Sequence, residues 1–500
     1  MSADACDLLV IGGGINGCAI ARDAAGRGLR VALCDRGDLA GATSSATSKL
    51  IHGGLRYLEH REFGMVREAL RERAHLLRTA PHLVRPLRLV LPHDATLRPR
   101  WMLRLGLFLY DRLGGARDVP RTCALDLRRD PAGAPLREGL RHGFAFHDGW
   151  TDDARLVLAL ARDAAERGAE ILPRTEFLGA QRLPDGRWHA RLRPQGGAET
   201  ALCARALANV GGPWVGEVAA RIQASPPAAR VRLVQGSHIV VPRWFDGEDG
   251  YLLQNPDRRV VFVLPWHGGH ALIGTTEEPL AGPPAAACVQ PREIEYLCAA
   301  VGRWFRRAPQ PCEVVDSFVG VRPLFDDGAR DASRVTRDRR LLCDADDAPL
   351  LHVFGGKMTT HRALAEEALE KMRGFLPHAS GPWTRAPLHG TGRGVPALVT
   401  ALLQQIRDLP DPTARGLAER HGERAFEVVG AARCAADLGE DFGAGLTAAE
   451  VIHAVRREWA ASAEDVLRRR TRCGFRLDAA ARERVAALVR QARSGAPDGP

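Results

Sequence analysis

The stretch from Asp7 to Asp35, DLLVIGGGINGCAIARDAAGRGLRVALCD, decides the fold. A short apolar run, Leu8–Ile11, meets a glycine turn; a helical stretch then runs to about Ala25, stops at Gly26 and Gly28, and is followed by a second apolar strand, Arg30–Cys34. Gly12, Gly14 and Gly17 spell GxGxxG, and Asp35 closes the second strand 18 residues beyond Gly17. With strand, helix and terminal acid all in place, the spacing predicts a dinucleotide-binding βαβ unit. Gly12 permits the tight turn, Gly14 lets backbone approach a pyrophosphate at the helix N-terminus, and Gly17 lets helix pack on strand. Asn16 joins the cofactor-binding residues of this turn, and Asp35 is expected to accept hydrogen bonds from an adenosine ribose. A motif at the extreme N-terminus of a long chain favours FAD over NAD, because an extended cofactor then collects contacts from later segments.

Immediately downstream, Ser44–Glu59 reads SSATSKLIHGGLRYLE. Thr43, Ser44, Ser45, Thr47 and Ser48 offer hydroxyls for phosphate and ribityl oxygens, and Lys49 offers a charge to offset the phosphates. Gly53 and Gly54 would let backbone pass close to an isoalloxazine ring, where a side chain would collide. A second glycine turn, FGGKMTT, places Gly355, Gly356, Lys357 and Thr359 between an apolar strand and a helix beginning near Arg362. It suits an anion or an electron-rich flavin edge at a helix N-terminus.

Composition narrows the class. At 500 residues and 54.3 kDa the chain exceeds one ordinary core, which predicts two or three domains. The net charge is +10, yet basic and acidic residues are interleaved and no run of five basic residues occurs, which argues against nucleic acid as a partner. The chain holds 67 arginines and only three lysines, Lys49, Lys357 and Lys371. Where arginine serves almost everywhere, a lysine marks a place that needs a compact point charge, and two of the three fall in the motifs above. Eleven cysteines with no CxxC pair read as reduced thiols of a cytoplasmic protein and offer no metal site. The N-terminus enters a strand directly, without the features of a secretion signal. No apolar run reaches the roughly 18 residues of a spanning helix, so membrane contact is expected to be peripheral.

Taken together, IGGGINGCAIARDAAGRGL, ATSSATSKLIHGGLRYLE, DGWTDDARLVLALARDAAERGAEIL, GSHIVVPR, VFVLPWHGGHALIGTT, GVRPLFDD, TRDRRL and FGGKMTTHRALAE resemble the FAD-dependent respiratory glycerol-3-phosphate dehydrogenases over nearly the whole chain. The resemblance implies oxidation of sn-glycerol 3-phosphate to dihydroxyacetone phosphate, with hydride passing to FAD and electrons to a membrane quinone. It also implies that Arg56, Arg322 and Arg337 grip the substrate phosphate, with Tyr57 beside them. Arg322 and Lys357 join the catalytic group, and His52 and His238 are the candidates for the base, between which the residues do not choose. Departures that bear on the pocket include GTTE, which puts Glu277 in place of aspartate, and His361, which replaces a tyrosine.

The expected architecture is α/β. A discontinuous Rossmann-like FAD-binding domain takes 1–75, 145–220 and 318–385; an antiparallel-sheet substrate cap takes 76–144 and 221–317; a helical C-terminal domain takes 386–500. Within the cap, RPRWMLRLGLFLYDRLGG predicts a helix with a polar stripe of Arg100, Arg104 and Asp111 and an apolar arc of Trp101, Leu105 and Phe108. A buried cap helix is the favoured reading, an interfacial helix its rival. The expected location is cytoplasmic, at the inner face of the cell membrane, with an anionic membrane surface and a homodimer among the partners. Two alternatives stand beside the dehydrogenase: an oxidase using dioxygen, and a non-catalytic flavin- or nucleotide-binding protein.

Overall fold

The computed structural model describes residues 6–94, 96–114, 118–223, 231–326, 338–344, 348–377, 380–388 and 390–495. Strand β1 (Cys6–Ile11), helix α1 (Ile15–Gly26) and strand β2 (Val31–Asp35) form where the sequence predicts a βαβ unit. All six residues of β1 are buried, as a central parallel strand covered on both faces requires. The strands Leu350–Phe354, Thr200–Asn209, β1, β2 and Glu170–Pro173 lie parallel in that order, and Arg340–Asp344 runs antiparallel at the edge. A hairpin, Thr175–Arg182 with Trp188–Pro194, extends this eight-stranded sheet. Helix α1 packs between the helices Asp153–Glu166 and His361–Met372, and their alanine-rich contact faces allow close approach.

A second, ten-stranded sheet stands beside it, antiparallel apart from one parallel pair, Gly250–Gln254 with Val84–His93. The alternating segments of the expected cap supply its strands Val231–Pro242, Gly250–Gln254, Val260–Trp266 and His270–Gly274. Two long strands cross the expected boundaries. His142–Thr151 pairs with Val84–His93 along its whole length, and Asp316–Phe325 pairs with Val231–Pro242, so both belong to this sheet rather than to the dinucleotide fold. Asp152 and Asp153 directly follow the first of these strands, and Arg322 lies within the second.

Helix Arg100–Leu113 reverses the favoured reading of its apolar arc. Leu103, Leu107 and Tyr110 turn inward, while Trp101 is 67% exposed, Leu105 50% and Phe108 51%. The helix carries apolar residues on both faces, and the inward stripe at i, i+4, i+7 is the one that meets the core containing Leu70 and Phe146. Beyond residue 390 the chain is helical. This part docks on helix Asp153–Glu166 through Arg155 to Glu458 (2.7 Å), Arg162 to Glu427 (3.0 Å) and Arg424 to Glu166.

Candidate active site

The seam between the sheets holds a cavity of 1530 Å³ that runs from Gly12 and Asp35 at one end to Arg322 and Lys357 at the other. Gly12 adopts φ +122°, and a side chain there would drive its Cβ to 2.4 Å from the Val210 carbonyl oxygen. Gly17 does not face the cavity; its missing Cβ is what lets α1 rest on the Gly12 carbonyl. Gly14 lines the cavity at the first turn of α1. Asp35 accepts the N–H groups of Gly13 and Gly37, each at 2.7 Å, and burial raises its pKa against their pull. A carboxylate accepts about four hydrogen bonds, so the side chain that stiffens the turn retains capacity for a ribose.

Asn16 ties this end to the second glycine turn, donating to the Gly355 carbonyl at 3.2 Å. Its Oδ1 is buried without a protein donor, and the residue lines the cavity. Buried acceptors are almost always satisfied; this one suits a donor brought by a bound molecule. Gly356, at φ +94°, leaves room that a Cβ would take from the Asn16 amide. Gly355, Lys357 and Thr359 line the same wall, and Thr359 accepts the His52 N–H at 3.3 Å.

The hydroxyl-rich loop is bound mainly to protein. Thr43 donates to the Val321 carbonyl (2.6 Å), Ser44 accepts the Ile15 N–H (3.0 Å), and Ser48 lies 2.9 Å from His238 Nε2. Ser44 still has its own proton to offer at the mouth of α1. Lys49 occupies a different post from the one expected. Its ammonium is fully buried beneath the loop, 2.6 Å from both Asp153 and the Ser45 carbonyl and 4.6 Å from the Phe318 ring centroid, and it does not line the cavity. Asp153 also takes the Thr47 hydroxyl at 2.7 Å and Arg472 at 2.5 Å. Burial and then Arg472 bring the Lys49 pKa down to about 8 against the pull of Asp153. Burial alone would lift Asp153, but Lys49 and Arg472 outweigh it and hold the carboxyl below its ordinary range. A buried anion with two cations satisfies all three; a phosphate is not needed to explain this lysine.

Gly53 likewise faces away from the cavity, where a Cβ would strike Leu70 at 2.6 Å and Tyr110 at 2.8 Å. Its N–H donates to the Tyr110 hydroxyl (2.7 Å), which in turn donates to Asp148. Gly54 does line the cavity, in the left-handed region at φ +76°.

Arg56, Tyr57, His52, His238, Arg322 and Lys357 all line the same cavity. Arg337 lies outside the described residues. Glu277 stands between the two arginines, 3.5 Å from Arg56 and 3.9 Å from Arg322. The Lys357 ammonium sits 3.9 Å over the Tyr57 ring and 2.7 Å from Met65 Sδ. His238 stacks on Phe318 at 4.9 Å, and burial, then Lys49 and Arg322, hold its pKa well below the usual value. His52 is also lowered, by burial first and by Lys357 and Arg73, against Asp148. Both imidazoles are therefore neutral acceptors near pH 7. Asp153 was not among the expected site residues; the only signal for it was an acid pair, Asp152–Asp153, closing an apolar strand.

Residues 7–370 match the FAD dependent oxidoreductase family, and residues 384–494 match the C-terminal domain of alpha-glycerophosphate oxidase. The chain is 47% identical over 478 residues to D-erythritol 1-phosphate dehydrogenase of Brucella abortus, covering 94% of each. It is 45% identical to a glycerol-3-phosphate dehydrogenase of Pseudomonas aeruginosa, covering 95% of this chain and 93% of the relative. The crystal structure of the Bacillus halodurans glycerol-3-phosphate dehydrogenase complexed with FAD shares the fold at a TM-score of 0.74 and 22% identity, covering 98% of this chain and 95% of that one. The glycine cradle, the Asp35 carboxylate and an orphaned acceptor fit a dinucleotide, and the chain belongs to the FAD-dependent oxidoreductases, within the glycerol-3-phosphate dehydrogenase family, with FAD as its cofactor.

Proposed function

We propose that the protein oxidises the secondary alcohol of sn-glycerol 3-phosphate to dihydroxyacetone phosphate and passes the electrons to a membrane quinone. The observation that carries the reading is the pair Arg56 and Arg322, opening with Lys357 and two neutral imidazoles onto the cavity that begins at the dinucleotide turn. FAD, when bound, supplies the acceptor for the hydrogen that leaves the carbinol carbon as hydride. The guanidinium groups of Arg56 and Arg322 bind the dianionic phosphate through paired N–H donors, with Arg337 as a third ligand. Glu277 keeps the two forks apart and aligned until the phosphate arrives. His238 or His52 takes the hydroxyl proton, and Lys357 stabilises negative charge that develops at the oxygen.

A second reading is favoured by the 47% identical relative named for D-erythritol 1-phosphate. A four-carbon polyol phosphate presents the same dianion and one more hydroxyl, for which the Glu277 carboxylate is an acceptor. Anaerobic mixing with each phosphate checks both. We expect the flavin band of the purified holoenzyme to bleach within seconds with sn-glycerol 3-phosphate, and the ratio of kcat/KM values to rank the two substrates. No bleaching with either would leave the site to a non-catalytic role. Re-oxidation of the reduced enzyme by a quinone analogue, compared with dioxygen, separates dehydrogenase from oxidase.

The exposed face of helix Arg100–Leu113 supports delivery to a membrane. Trp101, Leu105 and Phe108, flanked by exposed Arg100, Arg104 and Arg112, combine an apolar wedge with positive charge, the pattern of a helix lying in an anionic interface. Among the described residues no helix is long and apolar enough to cross a membrane. Replacing Trp101 and Phe108, which do not line the cavity, together by serine is expected to abolish sedimentation with phosphatidylglycerol vesicles while FAD content and activity with a soluble dye stay at wild-type levels. Undiminished sedimentation would move the docking face elsewhere.

A further inference from the structure

We infer that four residues of the C-terminal domain, Arg469 to Arg472, lock the two loops that wall the FAD cavity, so that this domain acts as a positioning device for the cofactor. The first loop follows Asp35. Asp38, buried three residues on, receives two N–H groups of Arg470, Nε of Arg469 at 2.6 Å and Arg174 at 3.3 Å. Gly37, between Asp38 and Asp35, is itself bonded to the Asp35 carboxylate. Fixing Asp38 therefore fixes the acid at the ribose end of the cavity. Asp38, Asp465 and Arg469 line that cavity themselves.

The second loop is 43–49. Arg472 donates to the Ser45 carbonyl at 3.2 Å and to Asp153 at 2.5 Å, and the same two acceptors hold the buried Lys49. On the cavity side of this loop, Ser44 caps the Ile15 N–H and Ser48 meets His238. One short stretch of chain, more than 400 residues from either loop in sequence, thus fastens both the pyrophosphate side and the imidazole side. The Arg472 backbone is left-handed at φ +58°, a conformation that a non-glycine residue keeps only where its surroundings impose it. Buried ion pairs add little net stability compared with apolar packing, so the role inferred for these is to hold the two loops in one geometry. Geometry is what a cradle for a flexible dinucleotide requires.

The inference concerns the cofactor alone, so it stands or falls separately from the choice of substrate or electron acceptor. Its rival is that these arginines only glue one domain to another, as Arg424 does with Glu166 at the same interface but away from the cavity. The test compares holoenzymes carrying Arg470→Ala, Arg472→Ala and Arg424→Ala, measuring FAD dissociation by the rise of free-flavin fluorescence after dilution, flavin circular dichroism, and thermal midpoints. We expect Arg470→Ala and Arg472→Ala to release FAD at least about tenfold faster with altered flavin dichroism, and Arg424→Ala to lower the midpoint while keeping the wild-type release rate. Arg472→Lys, which keeps a donor for Ser45 and Asp153, is expected to recover part of the retention. If an alanine variant does not accumulate, Arg469→Gln and Arg472→Lys carry the same comparison. Wild-type release rates in the clamp variants, or release that merely tracks the loss of thermal midpoint in all variants including Arg424→Ala, would overturn the proposal.

Discussion

Arg322→Ala is expected to raise the apparent KM for sn-glycerol 3-phosphate roughly tenfold to fortyfold, while kcat falls much less. A hydrogen bond to a charged group contributes about 1.5–3 kcal/mol, and the side chain is partly exposed, with Glu277 beside it, so the lower half of that range is the better guide. Interactions with a phosphate remote from the reacting carbon act on substrate and transition state alike, and uniform binding of this kind appears in KM rather than in kcat. Arg322→Lys keeps the charge but loses the planar fork, and recovers only part of the loss. Unphosphorylated glycerol serves as the internal control, because its residual turnover does not depend on a phosphate clamp. Steady-state kinetics with the two alcohols checks this, and an unchanged KM for the phosphate ester removes Arg322 from the clamp.

Asp153→Ala destabilises the folded protein by about 3–5 kcal/mol, the range for breaking a buried pair by removing one partner. The substitution leaves the Lys49 ammonium at 0% side-chain exposure with Arg472 beside it and only the more distant Asp152 carboxylate, 3.7 Å from Arg472, to offset them. Deprotonating the lysine at pH 7 sets a ceiling of about 5 kcal/mol, since each pKa unit below 10.4 costs about 1.36 kcal/mol. The double variant Asp153→Ala/Lys49→Met removes the stranded cation and recovers more than half of the loss. Denaturant titration of the four proteins completes the cycle; additive single effects would show that the pair is not coupled. The pH dependence carries a second signature. Lys49 holds its proton less tightly in the folded state, near 8, than in the unfolded chain, near 10.4. The unfolded chain therefore binds more protons in that window, and wild-type stability gains from this group as pH rises from about 8 to about 10.4, at up to about 1.4 kcal/mol per unit. Lys49→Met lacks that slope.

The dinucleotide unit was readable because its determinants are local. Gly12, Gly14 and Gly17 act within one turn, and the apolar runs on either side set the strands. The role of Lys49 was not readable, because its partners Asp153 and Arg472 lie 104 and 423 residues away and a motif shows only that a lysine is required, not which anion it meets. Gly53 was misassigned for the same reason: its need for a missing side chain arises from Leu70 and Tyr110 rather than from a ring beside it. The arginines around Glu277 were placed by resemblance, and 67 arginines gave composition no means of selecting them. For helix Arg100–Leu113, periodicity found the polar stripe but not the inward face, because apolar residues flank that stripe on both sides.

The interleaving of the two sheets has a consequence for biosynthesis. Strand Cys6–Ile11 leaves the ribosome well ahead of its parallel neighbour Thr200–Asn209, which emerges about two hundred residues later, and Leu350–Phe354 follows later again. At about 5–20 residues per second, the nascent strand waits about 10–40 s with the backbone N–H and C=O groups of one edge unpaired. Neither sheet can close before most of the polypeptide has been translated, so vectorial, domain-by-domain maturation is denied to this topology, and the early segments depend on transient shielding until their distant partners arrive.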